Sequence, residues 1–204
     1  MTEVLDLTRC LDGNLPIYAE GDYSDPPLQV EPWCTITVQG FRVSRLCMGT
    51  QTGTHIDAPA HFLDGGATLE SLPARALVGR YLWLDLDVAT LPDVGELAAA
   101  YAGETMLFLA SRGSEVAQPL FEALLELPCP VWIIADSVRV TGREALYFHR
   151  ALSKAGRFLI EDLDTTTSVQ VRPGGEIVAL PLRLKGVSGS PCRVLVRQDE
   201  ASSH

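Results

Sequence analysis

The chain has 204 residues, 47% of them hydrophobic and 21% charged, which excludes a disordered chain, a coiled coil and a collagen-like repeat and suits one domain with its own core. Its 26 acidic and 16 basic residues leave a formal net charge of −10, a field that repels phosphate backbones and anionic bilayers and so argues against nucleic-acid and membrane partners. No basic segment leads into an apolar run at the start, and no apolar run reaches the ~18 residues of a membrane span, so a soluble, cytoplasmic protein is expected.

In chain order, Pro16, Pro26, Pro27 and Pro32, with Gly13 and Gly21, make residues 1–32 a mostly extended arm with turns, attached to a single domain. Two alternating runs, Cys34–Gln39 and Phe41–Leu46, face each other across Gly40 and predict a β-hairpin. Val78–Leu86 reads as a strand. Asp93-x-x-Glu96 is a capping box opening an alanine-rich helix that Gly103 closes. Met106–Ala110 and Val131–Ala135 read as buried strands, with a helix over Pro119–Leu127 between them. Thr141-x-x-Glu144 reads as the cap of a third helix, stopped by Gly156 and followed by a strand over Arg157–Ile160. Glu176–Leu184 and Cys192–Arg197 are further β runs, and 201–204 is a tail. With β-rich ends and an alternating centre, the expected class is α/β, a mixed β-sheet core covered by helices. The five cysteines (Cys10, Cys34, Cys47, Cys129, Cys192) form no C-x-x-C pair and read as reduced thiols, most of them core filler.

The residues able to do chemistry are few. Of four histidines, His55 and His61 flank Asp57 in Gly53-Thr-His-Ile-Asp-Ala-Pro-Ala-His61. Two imidazoles and a carboxylate suit Zn²⁺, Mn²⁺ or Fe²⁺. Gly53 permits a tight turn and Pro59 interrupts a regular helix, so the segment can curl its side chains toward one centre. Spacing alone does not choose between this and a polar loop in which Asp57 is an N-cap and Pro59 starts a short helix. His149 falls with Ala145, Leu146 and Leu152 on the dry face of the third helix. The next strand ends at Glu161, and if it returns beneath the helix, His149 and Glu161 reach one level as a donor pair. Tyr18, Trp33 and Phe41 are possible pocket walls.

The run Gly53–His61 resembles the signature of the cyclase/kynurenine-formamidase-like metal hydrolases, which include bacterial arylformamidase and isatin hydrolase. The resemblance extends through Val4-Leu-Asp-Leu-Thr8, Leu15-Pro-Ile-Tyr18, Leu77-Val-Gly79, Asp136-Ser137, His149-Arg-Ala-Leu152, Glu161-Asp-Leu163, and Leu180-Pro-Leu182 to Gly189-Ser-Pro191. It implies a swivelling β/β/α-type fold, a homodimer or homotetramer in which the partner helps close the active site, and a divalent metal held at or beside His55, Asp57, His61, His149 and Glu161. It also implies proton transfer by His61. The family signature opens with a metal-ligating histidine where Gln51 stands, has an acid where Arg139 stands and an aspartate where Ser188 stands. These departures leave Gln51 as a weak ligand or substrate contact and favour one ion, Zn or Mn, over two.

Three functions follow from this reading. The first is hydrolysis of a small amide, formamide, cyclic amide or lactone by a metal-activated water, with His61 as general acid/base. The second is a cyclase, dehydratase or isomerase of specialised metabolism that uses His61 and Glu161 with one metal or none. The third is a non-catalytic binding protein derived from the family.

Overall fold

The structure is a computed structural model and describes residues 2–88 and 92–200. In chain order it comprises β1 (Thr2–Asp6), β2 (Ala19–Glu20), β3 (Tyr23–Ser24), β4 (Gln29–Cys34), α1 (Ile36–Gln39), β5 (Val43–Cys47), β6 (His55–Asp57), a 3₁₀ turn at Pro59–His61, and β7 (Val78–Asp85). There follow α2 (Val94–Ala100), β8 (Met106–Ala110), β9 (Ser114–Val116), α3 (Gln118–Glu126), β10 (Val131–Ile134), β11 (Val138–Val140), α4 (Tyr147–Lys154), β12 (Phe158–Glu161), α5 (Thr165–Ser168), β13 (Glu176–Pro181) and β14 (Gly189–Asp199). The main sheet runs β1-β14-β13-β7-β8-β10-β12-β6, and β6 pairs back onto β14. That last pairing closes seven strands into a barrel-like ring with β1 outside it. β7, β8, β10 and β12 are mutually parallel, while β6, β13 and β14 join antiparallel. The mixed sheet expected of the α/β class is therefore present.

Strands buried on both faces explain the continuous apolar runs of the centre. Along β10, Val131 and Ile133 point into the ring beside Met106, Phe108, Ile160, Ile177 and Val194. Trp132 and Ile134 point the other way, onto Phe121 and Leu124 of α3 and Phe148 and Leu152 of α4. The helices thus cover one face of the parallel strands. The capping box at α2 forms as read: the Asp93 carboxylate accepts from the Glu96 N–H, and Glu96 returns the bond to Asp93.

Several boundaries differ from expectation. Ile36–Gln39 is one helical turn, closed by Gly40 at φ 81°, and the partner of β5 is the earlier segment β4. The alternation of Ile36 and Val38 looks like a strand, but neither residue finds a sheet face, and both are exposed. The Thr141–Glu144 box does not open a helix. Gly142 takes φ 73°, Thr141 donates to Val116 next to the β9–β11 pair, and Glu144 accepts from the Leu146 N–H at 3.0 Å just before α4. Residues 2–6 of the N-terminal arm form β1, which pairs along β14. Only Cys129 and Cys192 are buried; Cys10 and Cys47 are exposed and Cys34 is half-buried, so most of the cysteines are not core filler. The expected tail at 201–204, with His204, lies outside the described residues. Among the described residues no helix is long and apolar enough to cross a membrane.

Candidate metal and catalytic site

Alternation along one short strand builds half of the site. In β6 the side chain of Ile56 enters the ring core, which turns His55 and Asp57 to the opposite face. β12 runs antiparallel beside it with Glu161 directly opposite His55. Its Ile160 also enters the core, so Glu161 turns to the same side as the two β6 donors. His55 Nε2 lies 3.5 Å from Asp57 Oδ1 and 3.5 Å from Glu161 Oε1, and one donor atom from each of the three lies within 4.8 Å of the others. The other imidazole nitrogen, Nδ1, is 2.7 Å from the Gly53 carbonyl. Gly53 can place that carbonyl there because it sits at φ 66°. With Nδ1–H donated to a backbone oxygen, the Nε2 lone pair of neutral His55 points at the two carboxylates, the usual preparation of a ligand imidazole.

α4 supplies His149, whose Nε2 is 3.0 Å from Glu161 Oε2. The strand therefore does return beneath the helix. The buried face of α4 is centred on Phe148 and Leu152, with His149 at its edge; Ala145 precedes the helix and is exposed. His61 stands apart from the three-residue cluster and is exposed. Its ring packs edge-on against Phe62 at 4.4 Å, and Phe62 in turn lies 5.5 Å from the His149 ring. Pro59 does begin a short helix, but its N-cap is Ala58, so Asp57 is free to face the cluster.

Burial and crowding set the charges. Burial raises Asp57 and the Glu161 charge adds to it, against the attraction of His55, leaving its carboxyl at about 6. For His55, burial alone would lower the pKa, but the Glu161 hydrogen bond and the Asp57 and Glu161 charges outweigh it and raise the imidazole to about 9. Burial would raise Glu161, yet its bonds to His149 and His55 hold it well below the usual carboxylate range. The same ion pair with Glu161 raises His149 against the effect of burial. A buried carboxylate, Asp57, and a half-buried one, Glu161, sharing one imidazole favour positive charge between them, and a divalent cation satisfies it.

Gln51 reaches this cluster with its nitrogen. The Thr50 hydroxyl is 2.5 Å from Gln51 Oε1, while Gln51 Nε2 lies 3.4 Å from Asp57 Oδ1 and 3.4 Å from Ser188 Oγ. Gln51, expected as a weak ligand or substrate contact, thus turns its amide nitrogen toward Asp57 and its oxygen toward Thr50. Tyr18, Trp33 and Phe41 do not join the cluster. They are 49%, 70% and 59% exposed, and Tyr18 instead hydrogen-bonds Glu20. Sequence reasoning assigned no role to Thr54, Arg9 or Asp162, which contact one another beside His55 and Glu161. Thr54 lies within the signature run, whereas Arg9 carries no distinguishing signal.

The family model described as "Putative cyclase" matches residues 5–115. The chain belongs to this cyclase family. A kynurenine formamidase of Salinibacter ruber is 32% identical over 170 residues, covering 74% of this chain and 78% of that relative. A kynurenine formamidase of Bacillus cereus is 27% identical, covering 96% and 98%. Among solved structures, isatin hydrolase A from Labrenzia aggregata, bound to benzyl benzoate, superposes with a TM-score of 0.77 at 21% identity, covering 98% of this chain and 94% of that one. A structure titled as a potential metal-dependent hydrolase with cyclase activity matches with a TM-score of 0.69 at 28% identity, over 98% and 100% of the two chains. The cyclase-family chain thus shares its fold with isatin hydrolase over nearly its whole length.

Proposed function

We propose that this chain is a metal-dependent hydrolase of C–N amide bonds, acting on a small formamide or cyclic amide with one divalent ion, Zn²⁺ or Mn²⁺. The convergence of His55, Asp57 and Glu161 within 4.8 Å of one another carries this reading. Its support from similarity is the 32% identity with a kynurenine formamidase. His55, Asp57 and Glu161 would hold the ion, with His149 fixing the free oxygen of Glu161. One imidazole and two carboxylates form a mixed nitrogen and oxygen donor set that suits either metal. A bound ion supplies Lewis acidity, which polarises the scissile carbonyl and acidifies water. His61, at the mouth of the site, takes the proton from the attacking water and returns it to the departing nitrogen. Phe62 packs edge-on against the His61 ring and lies 5.5 Å from the His149 ring. The long exposed segment β4–α1–β5 presents Val30, Trp33, Ile36, Val38, Phe41 and Leu46, an apolar surface suited to cover by a second copy of the chain in a homodimer.

The test is turnover of isatin and of the formamide of kynurenine by protein loaded with Zn²⁺ or Mn²⁺. We expect chelation to abolish it, His61→Ala to remove turnover while sparing metal content, and Glu161→Ala to remove both. Turnover that survives complete chelation overturns the proposal.

A further inference from the structure

We infer that Thr54 and Arg9 are positioning residues of the ion site: they clamp Asp162 in a left-handed backbone conformation and thereby fix Glu161 against His55. The inference rests on the reading of those two residues as ligands.

Asp162 has φ 56° and is the one non-glycine residue with positive φ among the described residues. Non-glycine residues seldom adopt this conformation, aspartate less seldom than most, and here the bonds around Asp162 hold it there. Asp162 directly follows Glu161, and the β6–β12 ladder ends at the Glu161–His55 pair. Continuing that register would set residue 162 opposite residue 54. In place of a backbone rung, the Thr54 hydroxyl donates to the Asp162 carbonyl at 2.7 Å. The same oxygen accepts from the Arg9 N–H at 2.9 Å. Both capacities of the hydroxyl are used, which fixes its direction. Thr54 is 1% exposed, and its own carbonyl accepts from the Cys192 N–H at 2.9 Å, tying it to β14.

Arg9 closes the clamp from outside. Its Nε donates to the Leu163 carbonyl at 2.9 Å, and its Nη1 lies 3.6 Å from the Asp162 carboxylate. The residues next to both ligands are thus joined through one hydroxyl and one guanidinium contributed by the N-terminal segment. Without the clamp, the chain after Glu161 relaxes toward an ordinary backbone conformation, and the Glu161 carboxylate loses its fixed place opposite His55.

Thr54→Val keeps the shape and removes both hydroxyl bonds. The measurement is the dissociation constant for Mn²⁺ and for Zn²⁺ by chelator competition at fixed pH, with far-UV circular dichroism as the control for folding. We expect Thr54→Val to weaken binding by roughly 10- to 100-fold, the range usual for removing an outer-shell support, and Thr54→Ser to restore it. Asp162→Gly, which adopts the left-handed conformation freely, recovers part of the loss in the double variant. Should Thr54→Val not fold, Arg9→Gln, on the partly exposed side of the clamp, is expected to weaken binding several-fold. Wild-type affinity in Thr54→Val, or in Arg9→Gln where that variant decides, overturns the inference, as does a Thr54→Ser variant as weak as Thr54→Val. Wild-type protein that binds neither ion instead overturns the ligand assignment on which the inference rests.

Discussion

Metal uptake by this site should be strongly pH-dependent, because the imidazole that must give a lone pair to the ion holds a proton in the metal-free protein. His55 is raised from 6.5 to about 9. With Nδ1 committed to the Gly53 carbonyl, the extra proton sits on Nε2, between Asp57 and Glu161. Binding must expel it. At pH 7 the group is about two units below its pKa, so the apparent affinity is reduced about 100-fold, or about 3 kcal/mol, relative to a pH above 9. Between pH 6 and 9 the affinity should rise about tenfold per unit. Below about 6 the slope steepens, since Asp57, raised from 3.8 to about 6, then also carries a proton. The same shift has a stability consequence of definite sign. A raised imidazole pKa stabilises the metal-free fold fully below pH 6.5 and loses that contribution as pH rises through 9, so the metal-free protein should melt lower at pH 9 than at pH 6.5, and added ion should reverse the loss. The assay is chelator-buffered titration with Mn²⁺ or Zn²⁺ at pH 6.5, 7.5 and 8.5. A dissociation constant that changes by less than about twofold across that series would refute the charge assignment at His55.

Two further outcomes follow from packing. A Cβ added at Gly189 would stand 2.8 Å from the Ile56 carbonyl oxygen, 2.4 Å from Gln51 Nε2 and 3.3 Å from Asp57 Oδ1; because the first of these is backbone, Gly189→Ala should cost about 1–3 kcal/mol in denaturant unfolding and weaken ion binding, and an unchanged midpoint contradicts this packing. Trp33 and Val38 are 70% and 76% exposed, so Trp33→Glu with Val38→Glu should convert a dimer to a monomer in light scattering, whereas a wild-type protein already monomeric at tens of micromolar contradicts the homodimer.

The parts of the fold that were legible in the sequence are those set by local chemistry. Val131–Ile134 is apolar at every position because it faces core on both sides, and the Asp93–Glu96 box is a purely local exchange of bonds. The misreadings came where local pattern had no tertiary partner. Ile36 and Val38 alternate like a strand, yet the sheet they would join is absent, and the glycine at 40 closes a helical turn instead. The Thr141–Glu144 box has the right letters, but Thr141 is taken up next to the β9–β11 pair. The site divides in the same way. His55 and Asp57 are readable as donors from their place in the signature run, although the curl expected of that run is instead the short strand β6. Glu161 requires the pairing of β12 with β6, which sequence spacing can only suggest. The left-handed turn at Asp162 and the reach of Arg9 across the chain leave no local trace, since most aspartates keep a negative φ and only the contacts to Thr54 and Arg9 single this one out.

Gln51 shows how one substitution can alter the character of the site without dismantling it. A histidine at this place would offer an imidazole lone pair to an ion. Glutamine could have offered its amide oxygen, but the Thr50 hydroxyl occupies that oxygen, so the face turned inward is the NH₂ group. Its two neighbours there are Asp57 Oδ1 and Ser188 Oγ, each at 3.4 Å. An N–H donor beside Asp57 favours the ionised carboxylate, yet it cannot itself accept a cation. Ser188, where the family has an aspartate, likewise brings no charge. Asp57 Oδ1 therefore meets both the Gln51 amide, at 3.4 Å, and His55 Nε2, at 3.5 Å, and neither Gln51 nor Ser188 adds a negative charge beside it. A second ion placed between Gln51 and Ser188 would meet an amide N–H and a neutral hydroxyl. That lining is the reason we propose one ion rather than two, with His61 as the proton carrier of the proposed reaction.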